Sequence, residues 1–331
     1  MSYKIELKDP AFVQGINAGN FDDIALQVFA HQYEHNEIYH AFTKALGVDP
    51  SGVKNIEQIP FLPISFFKTH RVVSDTAEPA FVFESSGTTG ETPSRHFVTD
   101  AVVYRESLLR GFKQFYGDPK DYVILALLPS YLERKNASLV HMAKVLMEES
   151  GHPDCGFYLD EWDKLASVLA RLEAGGQKTL LLGVTFALLD FAEAHPMQLQ
   201  HTVVMETGGM KGRREEWTRR QVHEFLMDKW QLANVHSEYG MTELLSQAYS
   251  LGGGMFNASD TMKVLIRDIN DPLEVKKTGS GCLNIIDLAN INSCSFIAAE
   301  DIGNMHADGR FEVLGRLDHA ALRGCSLMVV L

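Results

Sequence analysis

The sequence predicts a layered α/β fold that gives way to a β-rich final third. Between Asp100 and Trp230, short apolar runs alternate with longer amphipathic stretches, the pattern of strands and helices stacked in layers. After Gly252-Gly253-Gly254 the helical spacing disappears, and short apolar runs separated by turns such as Asp308-Gly309 take over. Ahead of both, residues 1–58 read as a helical segment packed on the core, with two helices expected across 21–45.

The elements follow in order. Residues 80–83 and 96–99 read as strands flanking a polar loop, and a helix is expected over 100–116. Residues 122–128 read as a strand, 138–150 and 161–173 as helices, 180–184 as a strand, and 186–194 as a helix. A strand at 202–205 precedes a helix expected over 213–230, and strands are expected at 263–269, 282–288 and 311–314. No repeat and no low-complexity linker interrupts the 331 residues.

Bulk properties exclude several classes of function. With 45% hydrophobic and 22% charged residues the chain buries a large core and stays soluble. A net charge of −13 and the absence of a basic stripe argue against a nucleic-acid surface. Residues 179–192 form the longest apolar run, but Gly183, Thr185 and Asp190 interrupt it and it is too short for a bilayer. The amino-terminal residues contain no apolar signal region, so a cytoplasmic location is expected. Cys155, Cys282, Cys294 and Cys325 lie far apart, without disulfide or zinc spacing. His31, His35 and His40 lack a supporting carboxylate pattern and read as packing or solvated histidines, as does His152 beside Cys155.

The chemistry concentrates in two stretches. Phe83-Glu84-Ser85-Ser86-Gly87-Thr88-Thr89-Gly90-Glu91-Thr92-Pro93-Ser94 combines two glycines with clustered hydroxyls. Such a loop turns backbone N–H groups toward one point and binds anions; a hairpin turn has the same composition. No Gly-Lys-Ser/Thr ending makes it a Walker A loop. His236-Ser237-Glu238-Tyr239-Gly240-Met241-Thr242-Glu243 adds a ring, a close backbone approach, a hydroxyl and a carboxylate, the set a nucleotide with Mg²⁺ needs.

Together the two stretches resemble the adenylate-forming enzymes, the acyl-CoA synthetase and acyl-adenylate ligase superfamily, with its Ser/Thr/Gly phosphate loop and Tyr-Gly-x-Thr-Glu motif. Glu206-Thr207-Gly208-Gly209-Met210 resembles the family's turn beside adenine, Asp301 its ribose-binding aspartate, and Gly315-Arg316-Leu317-Asp318 its interdomain hinge. Leu128-Pro129-Ser130-Tyr131-Leu132-Glu133-Arg134, the segment from Ile59 to Lys68 and Arg323-Gly324-Cys325-Ser326-Leu327 are similar to the acyl-protein synthetase branch of bacterial bioluminescence; before Ile59 the likeness is vague.

The resemblance implies the superfamily's large domain over 59–315, a hinge remnant and tail over 316–331, and no small C-terminal domain. It implies ATP-dependent activation of a carboxylic acid, a fatty acid in this branch, through an acyl adenylate. Ser85, Ser86, Gly87, Thr88, Thr89 and Gly90 would hold the β- and γ-phosphates, Thr242 the α-phosphate and Glu243 the Mg²⁺. Gly208, Gly209, Met210, Tyr239, Gly240 and Met241 would surround the nucleotide, with Tyr239 and Gly209 flanking adenine. Asp301 would take the ribose hydroxyls, and Arg316 would reach ribose or phosphate. Lys68, Arg95, Arg134 and Lys211 are further cations that either reach substrate or sit solvated. The family's transition-state lysine has no counterpart, since no lysine follows Lys277. Cys325 stands where the branch places its acyl-accepting cysteine, and Arg323 beside it would lower its pKa; a small hydrophobe on a terminal strand is the other reading. An acyl-reductase or acyl-carrier protein is the implied partner. A short phenylacetate-type CoA ligase and a non-catalytic ATP-binding subunit are the alternatives.

Overall fold

The computed structural model describes residues 12–74, 76–85, 92–129, 136–159, 161–208 and 217–317. Its centre is a 13-stranded sheet with a parallel and an antiparallel half. Gly156–Tyr158, Val123–Leu127, Thr179–Val184, Thr202–Thr207 and His236–Tyr239 lie side by side in that order, all parallel. Val123–Leu127 and Thr179–Val184 are buried at every position, as expected for strands covered on both faces.

The direction reverses at Ala248–Ser250, which runs antiparallel to His236–Tyr239. Met255–Ala258, Phe311–Arg316, Phe296–Met305, Gly279–Asp287, Met262–Arg267 and Val275–Lys276 complete the antiparallel half, while Leu62–Pro63 joins Phe296–Met305 in parallel. A separate hairpin pairs Phe81–Glu84 with Arg95–Val98, setting Phe83 opposite His96.

Local chemistry sets the helix limits. Asp100 accepts hydrogen bonds from the amides of Val102 and Val103 and starts Ala101–Tyr116, and Gly117 ends it at φ 83°. Ser138–Ser150 stops at left-handed Gly151. The helix expected over 213–230 is shorter. It begins at Arg219, because Thr218 takes an extended conformation and forms a reciprocal capping box with Gln221; residues 213–216 lie outside the described residues. The last strands run further than the spacing suggests: Gly279–Asp287 starts before Cys282, and Phe311–Arg316 extends past Leu314.

Two amino-terminal helices, Phe21–His35 and Glu37–Ala45, dock on the turn joining Gly279–Asp287 to Phe296–Met305. Phe29 and Tyr39 pack on Phe296, with ring centroids 6.2 and 5.8 Å away. Buried Gln32 donates to the carbonyls of Asn290 (2.9 Å) and Ile291 (3.0 Å) and accepts from the Ser295 amide (2.9 Å). Asn36 donates to the Ser293 carbonyl at 2.8 Å. Among the described residues no helix is long and apolar enough to cross a membrane.

Replacing Gln32 with leucine strands those backbone groups in an apolar setting. We expect Gln32→Leu to lose about 2–4 kcal/mol in urea unfolding; a loss within experimental error would mean that water reaches this turn.

Candidate active site

The two sequence motifs meet at the carboxyl end of the parallel strands, where open α/β sheets bind ligands. His236–Tyr239 delivers Gly240 through Glu243 into the loop before the first antiparallel strand. A Cβ at Gly240 would run into the Glu238 carboxylate, so a larger residue there would have to displace that side chain. On the neighbouring strand Thr202–Thr207 ends at Gly208, whose φ of 75° turns the chain sharply. Gly209, Met210 and Lys211 lie outside the described residues.

The hairpin closes on this loop from the side. The Ser85 amide donates to the Ser94 carbonyl (3.1 Å) and the Ser94 amide to Ser85 Oγ (2.9 Å), clasping the loop at its root. Ser86, Gly87, Thr88, Thr89 and Gly90, at its tip, lie outside the described residues. Two contacts then join hairpin to motif. The Ser94 side chain faces the Glu243 carboxylate and lowers its pKa, and His96 Nδ1 donates to the Thr242 carbonyl at 2.9 Å.

Further side chains fix the same backbone. Asn290 Nδ2 donates to the Glu243 carbonyl at 2.7 Å. Wholly buried Asp287 accepts from the amides of Leu245 (2.7 Å) and Ser246 (2.9 Å), from Ser246 Oγ (2.6 Å) and from the Ala289 amide (3.1 Å).

Asp301 faces the motif from the antiparallel half. Its Oδ2 accepts from the Tyr239 hydroxyl at 2.7 Å, and it lies opposite Arg316 across the strand pair. Burial pushes the Asp301 carboxyl up, while the Tyr239 hydrogen bond and the Arg316 charge pull it back. Arg316 Nε stands 3.8 Å from Glu300 Oε2 and 3.9 Å from Asp301 Oδ1, with its side chain 68% exposed. At that exposure the pairs hold Arg316 loosely and leave it able to turn toward a ligand. The Tyr239 ring packs edge-on against Phe256 and Phe311 and is largely buried.

Glu243 is buried as well. Burial pushes its carboxyl up; Ser94, a backbone amide and the charge of Arg316 oppose the rise, and Asp301 adds to it. A buried carboxylate of this kind fits one Mg²⁺, which takes its remaining ligands from phosphate oxygens and water. Among the described residues no group of three or more histidine, cysteine, aspartate and glutamate side chains is arranged to hold a metal by itself.

Other candidates fall away from the site. His35 Nδ1 bonds the His31 carbonyl at 2.8 Å and His40 Nδ1 the Tyr33 carbonyl at 2.9 Å, so these rings serve packing. Cys282 and Cys294 are buried, and Cys155 Sγ accepts from the Ile124 amide at 3.2 Å. The Arg95 guanidinium lies over the Phe97 ring, 5.8 Å from its centroid. Arg134, Asp318 and Cys325 lie outside the described residues.

The sequence reading missed Ser94 as a bridge, and His96, Asn290 and Asp287 altogether. Only His96 left a trace, as a polar residue on the inward-facing side of the strand leaving the loop. Two further carboxylates lie behind the site, Glu206 and Glu238, which the two motifs contain without a role assigned to them. Glu206 accepts from Ser237 Oγ (2.8 Å), Thr185 Oγ1 (3.0 Å) and Arg219 Nε (3.2 Å), with His223 Nε2 3.6 Å away. Burial pushes it up, but His223, Arg219 and Ser237 outweigh burial and hold it below the usual carboxylate range. Glu238 accepts from Thr207 Oγ1 at 2.6 Å, with no cation paired to it among the described residues; burial pushes its carboxyl up to about 7.

Sheet order, the reversal after the fifth parallel strand and the Gly240–Glu243 loop beside the hairpin match the fold of adenylate-forming acyl-CoA ligases. ATP-bound MatB from Rhodopseudomonas palustris has this fold, with a TM-score of 0.55 at 17% identity, covering 74% of this chain and 49% of that one. A long-chain-fatty-acid-CoA ligase (FadD1) from Archaeoglobus fulgidus gives a TM-score of 0.52 at 15% identity, covering 72% and 52%. This chain spans about half the length of these structures. The chain belongs to the LuxE acyl-protein synthetase family, whose model matches residues 17–330 and so reaches well upstream of Ile59 into the helical segment. No curated protein matches the chain.

The raised Glu238 carboxyl has a signed consequence. Between the ordinary carboxylate range and about 7 the folded protein holds a proton that the unfolded chain has released, so this group's contribution to stability falls as pH rises through that window. Glu238→Gln should gain about 1–3 kcal/mol relative to wild type between about pH 5 and about pH 8 in paired urea titrations. A difference that stays flat with pH would put the Glu238 carboxyl in the ordinary range.

Proposed function

We propose that the protein activates a carboxylic acid, a fatty acid in the first instance, with ATP, and hands the acyl group to a thiol on Cys325 or on a partner protein. One observation carries this reading. The Ser94–Glu243 and His96–Thr242 contacts join the root of the phosphate loop to the Tyr239–Glu243 motif, with Asp301 and Arg316 alongside.

The chemistry needs charge neutralised and atoms aligned more than it needs covalent help. A carboxylate oxygen of the acid attacks the α-phosphorus; the new P–O bond forms as the bond to pyrophosphate breaks, and the acyl adenylate remains. In this reading the loop from Ser85 to Gly90 holds the departing β- and γ-phosphates, and Thr242 donates its hydroxyl to the α-phosphate. Glu243 holds the Mg²⁺, which when bound offsets negative charge on the phosphates. Asp301 accepts from the ribose hydroxyls while Tyr239 fixes its second oxygen, and loosely held Arg316 closes on ribose or phosphate. The Cys325 thiolate then attacks the acyl carbonyl and AMP leaves. An acyl-reductase or acyl-carrier protein is the partner that would take the group onward.

Carboxylate-dependent pyrophosphate exchange over a panel of fatty and aromatic acids tests the first step. We expect exchange in the wild type, a loss of about 100-fold or more in Glu243→Gln, and in Asp301→Ala a raised KM for ATP. Hydroxylamine-labile acylation should vanish in Cys325→Ala while exchange persists. Exchange coupled to CoA consumption would favour a CoA ligase instead. ATP binding without exchange for any acid, with acyl-reductase and carrier proteins added, would leave only a nucleotide-binding subunit.

A further inference from the structure

Two buried polar atoms without a hydrogen-bond partner among the described residues, His96 Nε2 and Asn290 Oδ1, belong to residues that line the same small cavity behind the Thr242–Glu243 loop. Thr99, Asp100, Leu245 and Ser293 complete much of its wall. Both residues have already committed their other polar atom to the motif. His96 Nδ1 carries its proton toward the Thr242 carbonyl, so Nε2 of the neutral ring keeps a lone pair. Asn290 Nδ2 donates to the Glu243 carbonyl, so the amide orientation leaves Oδ1 as an acceptor. Burial pushes the His96 imidazole down to about 4, which keeps the ring neutral near pH 7.

A cavity lined by two residues that each carry an unmet acceptor selects a small ligand that donates twice. An ionised carboxylate brings only acceptors, and a phosphate group is larger than the space. A magnesium ion would require a near-complete shell of oxygen ligands, which a ring nitrogen and one amide oxygen do not supply. Water brings two O–H groups, and the space admits about one such molecule. Leaving both acceptors unmade would be costly at residues 1% and 0% exposed.

We propose that one ordered water occupies this cavity, donating to His96 Nε2 and to Asn290 Oδ1, and that His96 and Asn290 are positioning residues which, locked by it, fix the Thr242–Glu243 backbone against the phosphate loop. The two carbonyls they hold belong to consecutive residues, so they orient the Thr242 hydroxyl and the Glu243 carboxylate together. Asn290 is itself braced through its carbonyl by Gln32, which links the amino-terminal helices to the same clamp. The kinetic consequence rests on the proposed acid-activating function; the water and the tautomer do not.

The test has two arms. A high-resolution crystal structure should show a water within hydrogen-bond distance of both atoms, and ¹⁵N NMR of the imidazoles should find His96 as the Nδ1–H tautomer. A dry cavity, or an Nε2–H tautomer, overturns the proposal. For the second arm, His96→Asn retains a donor near the Thr242 carbonyl and loses Nε2, whereas His96→Leu loses both. Exchange should fall about tenfold in kcat for His96→Leu and for Asn290→Leu with little change in the KM for ATP. His96→Asn should recover part of that loss, and the double leucine variant should be little worse than either single one. Equal losses in His96→Asn and His96→Leu, or fully additive losses in the double variant, would refute the positioning role. If one variant fails to fold, the crystallographic and NMR readouts on wild type still decide. If wild type shows no exchange, the functional reading fails while the first arm still judges the water.

Discussion

Asp287 lies wholly out of water and has its charge met by four hydrogen bonds from Leu245, Ser246 and Ala289, with no cation among the described residues paired to it. Burial raises its pKa, and those donors oppose the rise. Such an arrangement has little slack: moving the loop by one bond length would expose an unmet buried carboxylate. The segment following Glu243 is therefore pinned to the Gly279–Asp287 strand, and the direction in which Thr242 and Glu243 point follows from that anchor. His96 and Asn290 then hold the carbonyls of Thr242 and Glu243, so four of the five residues from Thr242 to Ser246 are held by side chains from two separate parts of the chain, the hairpin and the Asp287–Asn290 segment.

The two carboxylates behind the site show how neighbours decide the state of similar groups. Glu206 and Glu238 sit on adjacent parallel strands, and burial pushes both up. Arg219 and His223 reach Glu206 from the helix beginning at Arg219, and Ser237 adds a hydroxyl, so its charge persists. Among the described residues Glu238 has only the Thr207 hydroxyl, and it adds to the pKa rise that burial gives the phenols of Tyr104 and Tyr249. Arg219 also donates to the Val313 carbonyl at 2.9 Å, which ties the parallel half to the strand that carries Arg316.

Much of the fold was legible locally. The helices Ala101–Tyr116 and Ser138–Ser150 announce themselves by a capping aspartate and by terminal glycines, because those residues answer for unmet backbone groups wherever they stand. The helix beginning at Arg219 was placed too early because amphipathic spacing was followed through Trp217 and Thr218. The Thr218–Gln221 capping pair was the better signal. At the site, Tyr239, Thr242 and Glu243 stood out by residue type and order, and Asp301 and Arg316 by their resemblance to the family's motifs, whereas His96, Asn290 and Asp287 have no local pattern that separates them from ordinary polar residues.

From sequence alone came the residue inventory of the candidate site and its order along the chain, since glycine, hydroxyl and carboxylate chemistry is written in the side chains themselves. The tertiary structure decided which of those groups share a space and in what electrical state. Ser94 meets Glu243, His96 meets Thr242 and Tyr239 meets Asp301 across sequence separations of 62 residues or more. Proximity of that kind, and the burial that shifts Glu238, Glu243 and Asp301, arises only when the parallel and antiparallel halves of the sheet close around one loop.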